Sequence, residues 1–143
     1  MYFDDIKVTK LLMKEIEEYK KGKRKSPSNE LTQYYLDVVN NILKSSKYAF
    51  YTDDWKEEFL SYASYKFVKY WHTFKINKSK SNFKNGKLKT ENLKGAYNFF
   101  TSLAISAIHY VIRNFNNERK NKEELANEYN NFWHQEWYLK NKL

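Results

Sequence analysis

Apolar side chains recur along this chain at helical spacing, not in strand-like alternation. In the first segment Leu12, Met13, Ile16 and Tyr19 fall at i, i+1, i+4 and i+7, one side of a helix. Thr9 stands where an N-cap belongs, so the expected helix runs from Thr9 to Lys20. Lys20-Lys21-Gly22-Lys23-Arg24-Lys25 follows, with cations suited to a helix C-terminus and a glycine suited to its end. Ser26-Pro27 reads as the next start, because proline is pre-set for the first helical turn. Beyond it Leu31, Tyr34, Tyr35, Val38, Val39, Ile42 and Leu43 form an apolar stripe. A third helix opens at Thr52 or Asp53 and carries Trp55, Phe59, Ala63, Phe67, Tyr70 and Phe74 at spacings of 4, 4, 4, 3 and 4.

Residues 75–94 break every such pattern and hold seven lysines against one glutamate, a local charge of +6. The expectation there is a long, solvated, mobile loop. From Ala96 to Phe115 the chain is at its most apolar: Phe99, Phe100, Leu103, Ala104, Ala107, Ile108, Val111, Ile112 and Phe115 cover more than half of a helix, which predicts a central position. Polar Asn116–Glu123 then separates a last helix with Leu125, Tyr129, Phe132 and Trp133 on one side. Three glycines and one proline leave almost none of the punctuation that a β-rich fold requires. The expectation is all-α, a compact helical domain of about five helices spanning 1–143. Within it, 8–25 forms the first helix and its basic exit, 26–74 the second and third helices, 75–94 the lysine-rich loop and 95–139 the last two helices.

Charge changes this picture more than length does. The net charge is +9, and an excess of that size favours a polyanionic partner. Lysine outnumbers arginine 23 to 3, the bias that an AT-rich genome imposes, so the position of the charge carries more meaning than its total. No apolar run is long enough for a membrane helix, and Met1–Ile6 lacks a signal-peptide pattern, so a soluble, unexported protein without a membrane partner is expected. The absence of cysteine excludes a disulfide scaffold, a thiolate zinc site and a cysteine nucleophile. His72, His109 and His134 have no second ligand at metal spacing, and no phosphate loop, nucleophile elbow or serine-lysine motif occurs. Glu15, Glu17 and Glu18 read as a solvated helix face, as do Glu123 and Glu124. Neither catalysis nor a metal or other cofactor is expected.

The stretch from Glu58 to Phe74, EFLSYASYKFVKYWHTF, resembles region 2.2 of bacterial sigma factors. There an acidic residue opens the helix, aliphatics recur at helical spacing, and a Phe closes it. Ala96-Tyr97-Asn98-Phe99-Phe100-Thr101, with Ser106-Ala107-Ile108 and Ile112, resembles regions 2.3 and 2.4. The pattern is most similar to the small late-transcription sigma factors of tailed phages, in which an aromatic-Thr pair leads to a polar-Ala-apolar triplet and then a charged stretch like Glu118-Arg119-Lys120. Val8–Lys20 and Glu124-Leu125-Ala126 with Tyr129, Phe132 and His134 fit the same family. The likeness covers nearly the whole chain and rests on order and spacing together.

The resemblance implies a helical promoter-recognition domain that docks on the β′ clamp helices of a multisubunit RNA polymerase and binds and helps open the promoter −10 element. Glu58, Ser61, Tyr62, Tyr65 and Lys69 would face the polymerase, on the side of the helix opposite Phe59, Ala63, Phe67 and Tyr70. Phe99 would stack on the flipped −10 adenine, with Thr101, Ser106, His109, Tyr110 and Arg113 lining the DNA side. Such a protein acts in the bacterial host cytoplasm, at the nucleoid, and the resemblance leaves room for a phage co-activator. Three departures stand out. The family's glutamine-glutamate pair is Ser61-Tyr62, its paired tryptophans are Ser102-Leu103, and the 75–94 segment is longer than the family's connection, as a phosphate-binding insertion would be. The chain also ends soon after Trp137-Tyr138-Leu139, so neither the clamp-binding tail of some phage members nor a region 4-like helix-turn-helix is expected, and the aromatic end 132–139 is expected to pack into the domain. Two other readings stay open: a phage protein that occupies polymerase to block host transcription, and a general basic nucleic-acid-binding helical protein.

Overall fold

A computed structural model describes residues 2–142, apart from the side chains of 137–139, 141 and 142. The chain is predominantly α-helical. Its elements are α1 (Asp5–Lys20), α2 (Asn29–Leu43), α3 (Asp53–Tyr70), a single 3-10 turn (Trp71–Thr73), a small antiparallel hairpin of β1 (Phe83–Lys84) and β2 (Lys87–Leu88), and α4 (Ala96–Lys142). They fall into two compact units, Met1–Ile108 and His109–Leu143, each taken by itself below.

Local chemistry sets the helix starts, and twice it differs from the sequence reading. The α1 cap is Asp4, whose side chain accepts from the Lys7 backbone N–H, so the helix begins four residues before Thr9. Thr9 lies inside α1 and is fully buried. At α2 the cap is Ser28, whose Oγ accepts from the Leu31 backbone N–H, while Pro27 precedes the helix instead of opening it. Thr52 and Asp53 open α3 as expected, with Asp53 and Asp54 in the first turn, where carboxylates favour the helix dipole. Gly22 ends α1 with φ of 74°, a left-handed conformation that costs glycine little.

The first unit is held by rings. Tyr35 of α2, Phe67 of α3 and Phe100 of α4 are fully or almost fully buried, with centroids 4.3 Å apart for Tyr35–Phe67 and 5.5 Å for both Tyr35–Phe100 and Phe67–Phe100. Burying three such side chains is worth several kcal/mol, about 1.5–3 for each. Around them pack Val8, Leu12 and Ile16 of α1, Leu31, Val38 and Val39 of α2, Phe59 and Ala63 of α3, and Ala104 and Ile108 of α4. The α2 stripe follows the sequence reading, with Tyr34 and Ile42 half-buried at its margin. Trp55, Tyr70 and Phe74 are likewise half-buried, whereas Trp71 and Tyr48, neither on any stripe, are buried. Glu15 is also buried, at 2% exposure, and so does not belong to a solvated face.

Two expected features are replaced. Residues 75–94 are not an unstructured loop, since they contain the hairpin and a fully buried Asn82. Nor does Asn116–Glu123 separate two helices, because α4 is continuous across it; among the described residues four α-helices and a 3-10 turn stand where about five helices were expected. Asn, Glu, Lys and Arg are acceptable inside a helix, and no glycine or proline interrupts 96–142. In the second unit every described side chain from 113 to 136 is exposed, including Leu125, Tyr129, Phe132 and Trp133, each more than half exposed. The aromatic end is therefore not packed as expected over its described side chains, and Trp137, Tyr138 and Leu139 lie outside them. Among the described residues no helix is long and apolar enough to cross a membrane.

Candidate nucleic-acid and partner interface

Helix α3 has two distinct sides. Phe59, Ala63 and Phe67, four residues apart, are buried, while Glu58, Ser61, Tyr65 and Lys69 are exposed and Tyr62 is half-buried. Tyr62 and Tyr65 bring their rings 5.7 Å apart, and the Lys69 ammonium lies 5.8 Å from the Tyr65 centroid and 5.4 Å from that of Tyr70. The charges that Tyr65 and Tyr70 can carry hold the Lys69 ammonium above its ordinary pKa. The five residues assigned to a polymerase-facing side thus share one outward surface, with two rings and a cation at its centre.

Helix α4 begins against α1. Its first backbone N–H groups need partners from outside the helix. Asp5 Oδ1 accepts from Gly95 N at 3.3 Å and from Tyr97 N at 3.0 Å, and Thr9 Oγ1 accepts from Ala96 N at 3.0 Å. Thr9 in turn donates to Asp5 at 3.1 Å. A carboxylate at this end also favours the helix dipole. Gly95 has φ of 145°, and a Cβ there would come within 3.2 Å of Phe74 Cζ, so only glycine fits without displacing that ring. Phe74 also meets Phe99, with centroids 5.2 Å apart. The front of α4 is therefore fixed from two sides, and Phe99 sits there half-buried.

The remaining residues expected to line a DNA side divide between the two units. Thr101 is half-buried, and its Oγ1 is buried with no hydrogen-bond partner among the described residues. Ser106 is exposed and its Oγ accepts from Lys66 Nζ at 3.3 Å, a link from α3 to α4. With the buried Phe67–Phe100 contact, this makes α3 and α4 direct neighbours. His109, Tyr110 and Arg113 belong to the second unit, where all three are exposed and His109 and Arg113 line an open groove with Ile112, Asn116 and Asn117.

Between α3 and α4 lies the basic segment, ordered by one side chain. The Asn82 amide donates to the carbonyls of Asn77 (3.0 Å) and Lys94 (2.8 Å), and its oxygen accepts from Lys94 N at 2.7 Å. It thereby ties both ends of the segment together from within. The hairpin turns through Asn85 and Gly86, with φ of 54° and 75°, the left-handed pair of a tight I′-type turn. Phe83 pairs with Leu88 and Lys84 with Lys87. The signal for this element was present in the sequence: Asn-Gly is the strongest short-range hairpin mark, here obscured by lysines where apolar strand residues usually stand.

Beside the hairpin, α1 contributes Lys7 and Lys10 to a cleft closed by residues 90–93. Lys7 lies 5.9 Å from the Tyr34 ring centroid, and its hydrogen bond with Tyr34 raises its pKa above the ordinary lysine value. Among the described residues no group of three or more His, Asp or Glu side chains converges as metal ligands. Compared with known proteins, the chain matches no family model, no curated protein and no solved structure.

Proposed function

We propose that this chain is a small sigma factor of the phage late-transcription type, which carries out no catalysis of its own and directs a multisubunit RNA polymerase to AT-rich −10-like promoters in the bacterial cytoplasm. In this reading Tyr62, Tyr65 and Lys69, with Glu58 and Ser61, engage the β′ clamp helices, and Phe99 receives a flipped base of the −10 element. The observation that carries it is the arrangement of α3 and α4: adjacent helices, one turning a tyrosine pair outward, the other holding a half-buried ring at its capped front.

The energetics suit this division of labour. Tyrosines offer large contact area for little lost side-chain entropy and are enriched among the residues that dominate interfaces. A base leaving the stack costs a few kcal/mol, least at flexible TA steps, and stacking on an aromatic ring returns about 1–3 kcal/mol. A ring in contact with both Phe74 and Phe100 has little freedom left to lose on receiving a base. Ser102-Leu103 in place of paired tryptophans supplies no aromatic wedge, so opening of the duplex depends on the polymerase.

Two measurements test this. Retention of the chain by an immobilised β′ clamp-helix fragment should fall at least tenfold for Tyr62→Ala and for Tyr65→Ala, about the 1.4 kcal/mol expected of a central interface tyrosine. Unchanged retention of both variants refutes the assigned face. In the second, Phe99→Ala should weaken binding to forked −10 DNA about tenfold while leaving random duplex unaffected, and equal losses on both remove Phe99 from the pocket. Run-off transcription with core polymerase then separates a promoter-directing factor from a blocking protein, which binds but yields no directed transcript.

A further inference from the structure

We infer that the β1–β2 hairpin and the adjoining edge of α1 form a separate, sequence-independent contact for the phosphate backbone of duplex DNA. The contact is distinct from the Phe99 site and does not depend on polymerase docking. The first observation is the register of the ribbon. Lys84 and Lys87 are directly opposed across the two strands, both exposed. Like charges placed opposite each other destabilise a strand pair, and a two-stranded ribbon has little stability to spare. An anion between or above the two ammonium groups turns that repulsion into attraction.

The second observation is that the segment is built despite this cost. Asn82, fully buried, holds the two ends of the segment together through three hydrogen bonds, and the Lys89 backbone N–H donates to the Asn82 carbonyl at 2.8 Å, extending the ladder by one step. With a left-handed Asn85-Gly86 turn, the lysines stand on a fixed frame, so less side-chain and backbone freedom is lost on binding than a disordered basic loop would lose.

The third is continuity. An open groove along the hairpin is lined by Lys84, Lys87 and Lys89 together with Thr90 and Glu91. Thr90 and Glu91 also line the cleft of Lys7 and Lys10 on α1. The two depressions thus adjoin at Thr90 and Glu91, and between them they present five lysines against the Glu91 carboxylate. An array of spaced cations suits a polymer of regularly spaced phosphates better than a single small anion.

The choice of duplex rests on what the hairpin lacks. Single-stranded binding uses exposed rings as stacking platforms, but the hairpin's aromatic residue, Phe83, is half-buried and Asn85 and Gly86 form its tip. A lipid surface would call for apolar groups to insert, and Leu88 is the exposed apolar residue the hairpin offers.

The test is the salt dependence of binding to a fluorescent random-sequence duplex that lacks a −10-like stretch. Each phosphate neutralised contributes about 0.9 to the slope of log K against log salt. The double variant Lys84→Gln/Lys87→Gln should therefore flatten the slope by about 2 and weaken binding roughly tenfold or more at moderate salt. Lys23→Gln/Lys25→Gln, which removes the same charge from the exit of α1, should leave the slope nearly unchanged, as should Phe99→Ala. Equal flattening by both lysine pairs would reduce the effect to net charge and overturn the proposal. So would an unaltered slope in the hairpin variant, or wild-type protein that binds phosphatidylserine vesicles but not the duplex. Because the duplex assay contains no polymerase and no forked DNA, its failure leaves the tests of Tyr62, Tyr65 and Phe99 standing, and their failure leaves this one standing.

Discussion

Glu15 shows how much one side chain can organise. Its two oxygens accept from the backbone N–H and the hydroxyl of Ser28, at 2.6 and 2.7 Å, while the Arg24 guanidinium approaches to 3.5 Å. The carboxylate on α1 thus anchors the residue that caps α2, and Arg24, also 3.2 Å from Glu18, closes the basic exit over it. Read along the chain, Glu15 could not be told from its exposed neighbour Glu17, because its distinguishing partner lies 13 residues away across a turn. Tyr35 is a second such case. Its hydroxyl donates to the Ala63 carbonyl at 2.8 Å, and burial pushes its pKa well above that of a free tyrosine. The folded state keeps the phenol protonated where the unfolded chain begins to lose its proton, near pH 10. Stability from this group is complete below that value and falls as pH rises from it toward the higher folded pKa. Urea unfolding of Tyr35→Phe should therefore lose about 1 kcal/mol at neutral pH, from the missing hydrogen bond, yet decline less steeply than wild type above pH 10. Parallel curves for the two proteins would contradict the assignment.

At the scale of elements, the helices were legible and their ends were less so. The α2 stripe and the 59–63–67 spacing of α3 give the buried faces directly, because a helix returns every 3.6 residues to the same side. A threonine ahead of an apolar run looks like a cap, yet Asp4 and not Thr9 caps α1. Thr9 does serve helix capping, but for α4, 87 residues further along the chain. The front of that helix carries Phe99, so its cap bears on the proposed base-receiving role. Asp5→Ala removes the acceptor of the Gly95 and Tyr97 N–H groups and should cost about 1–2 kcal/mol in thermal or urea unfolding. It should also weaken binding to forked −10 DNA by loosening Phe99, while leaving capture by the β′ fragment unchanged, since the hydrogen bonds that Asp5 accepts come from Thr9, Gly95 and Tyr97 and none from α3. Loss of clamp binding in that variant would show that the two surfaces do not act separately.

On the scale of the whole chain, buried residues and basic charge are unevenly placed. Every buried side chain among the described residues lies at or before Ile108, whereas the helical segment beyond residue 112 shows only exposed ones. A chain ending at Asn117 should accordingly keep a cooperative thermal transition within about 3 °C of the full protein, as followed by circular dichroism. A shift of ten degrees or more would mean that the later residues stabilise the first unit. Its helical content would fall with the removed residues of α4, which separates the two effects.

Sequence alone determined the class of this protein: helices, because apolar positions recur with their period and breakers are scarce, and a net charge of +9, because charge is a sum that folding does not alter. Tertiary structure decided the rest. Whether Glu15 is buried, whether Thr9 caps its own helix or another, whether a run of lysines is slack or held on a hairpin by Asn82, and whether the leucine and rings of the last segment meet a core are all settled by partners far along the chain. Those partners are brought together only when the chain folds, and hydrogen bonding and burial have no meaning for a residue until its neighbours in space are fixed.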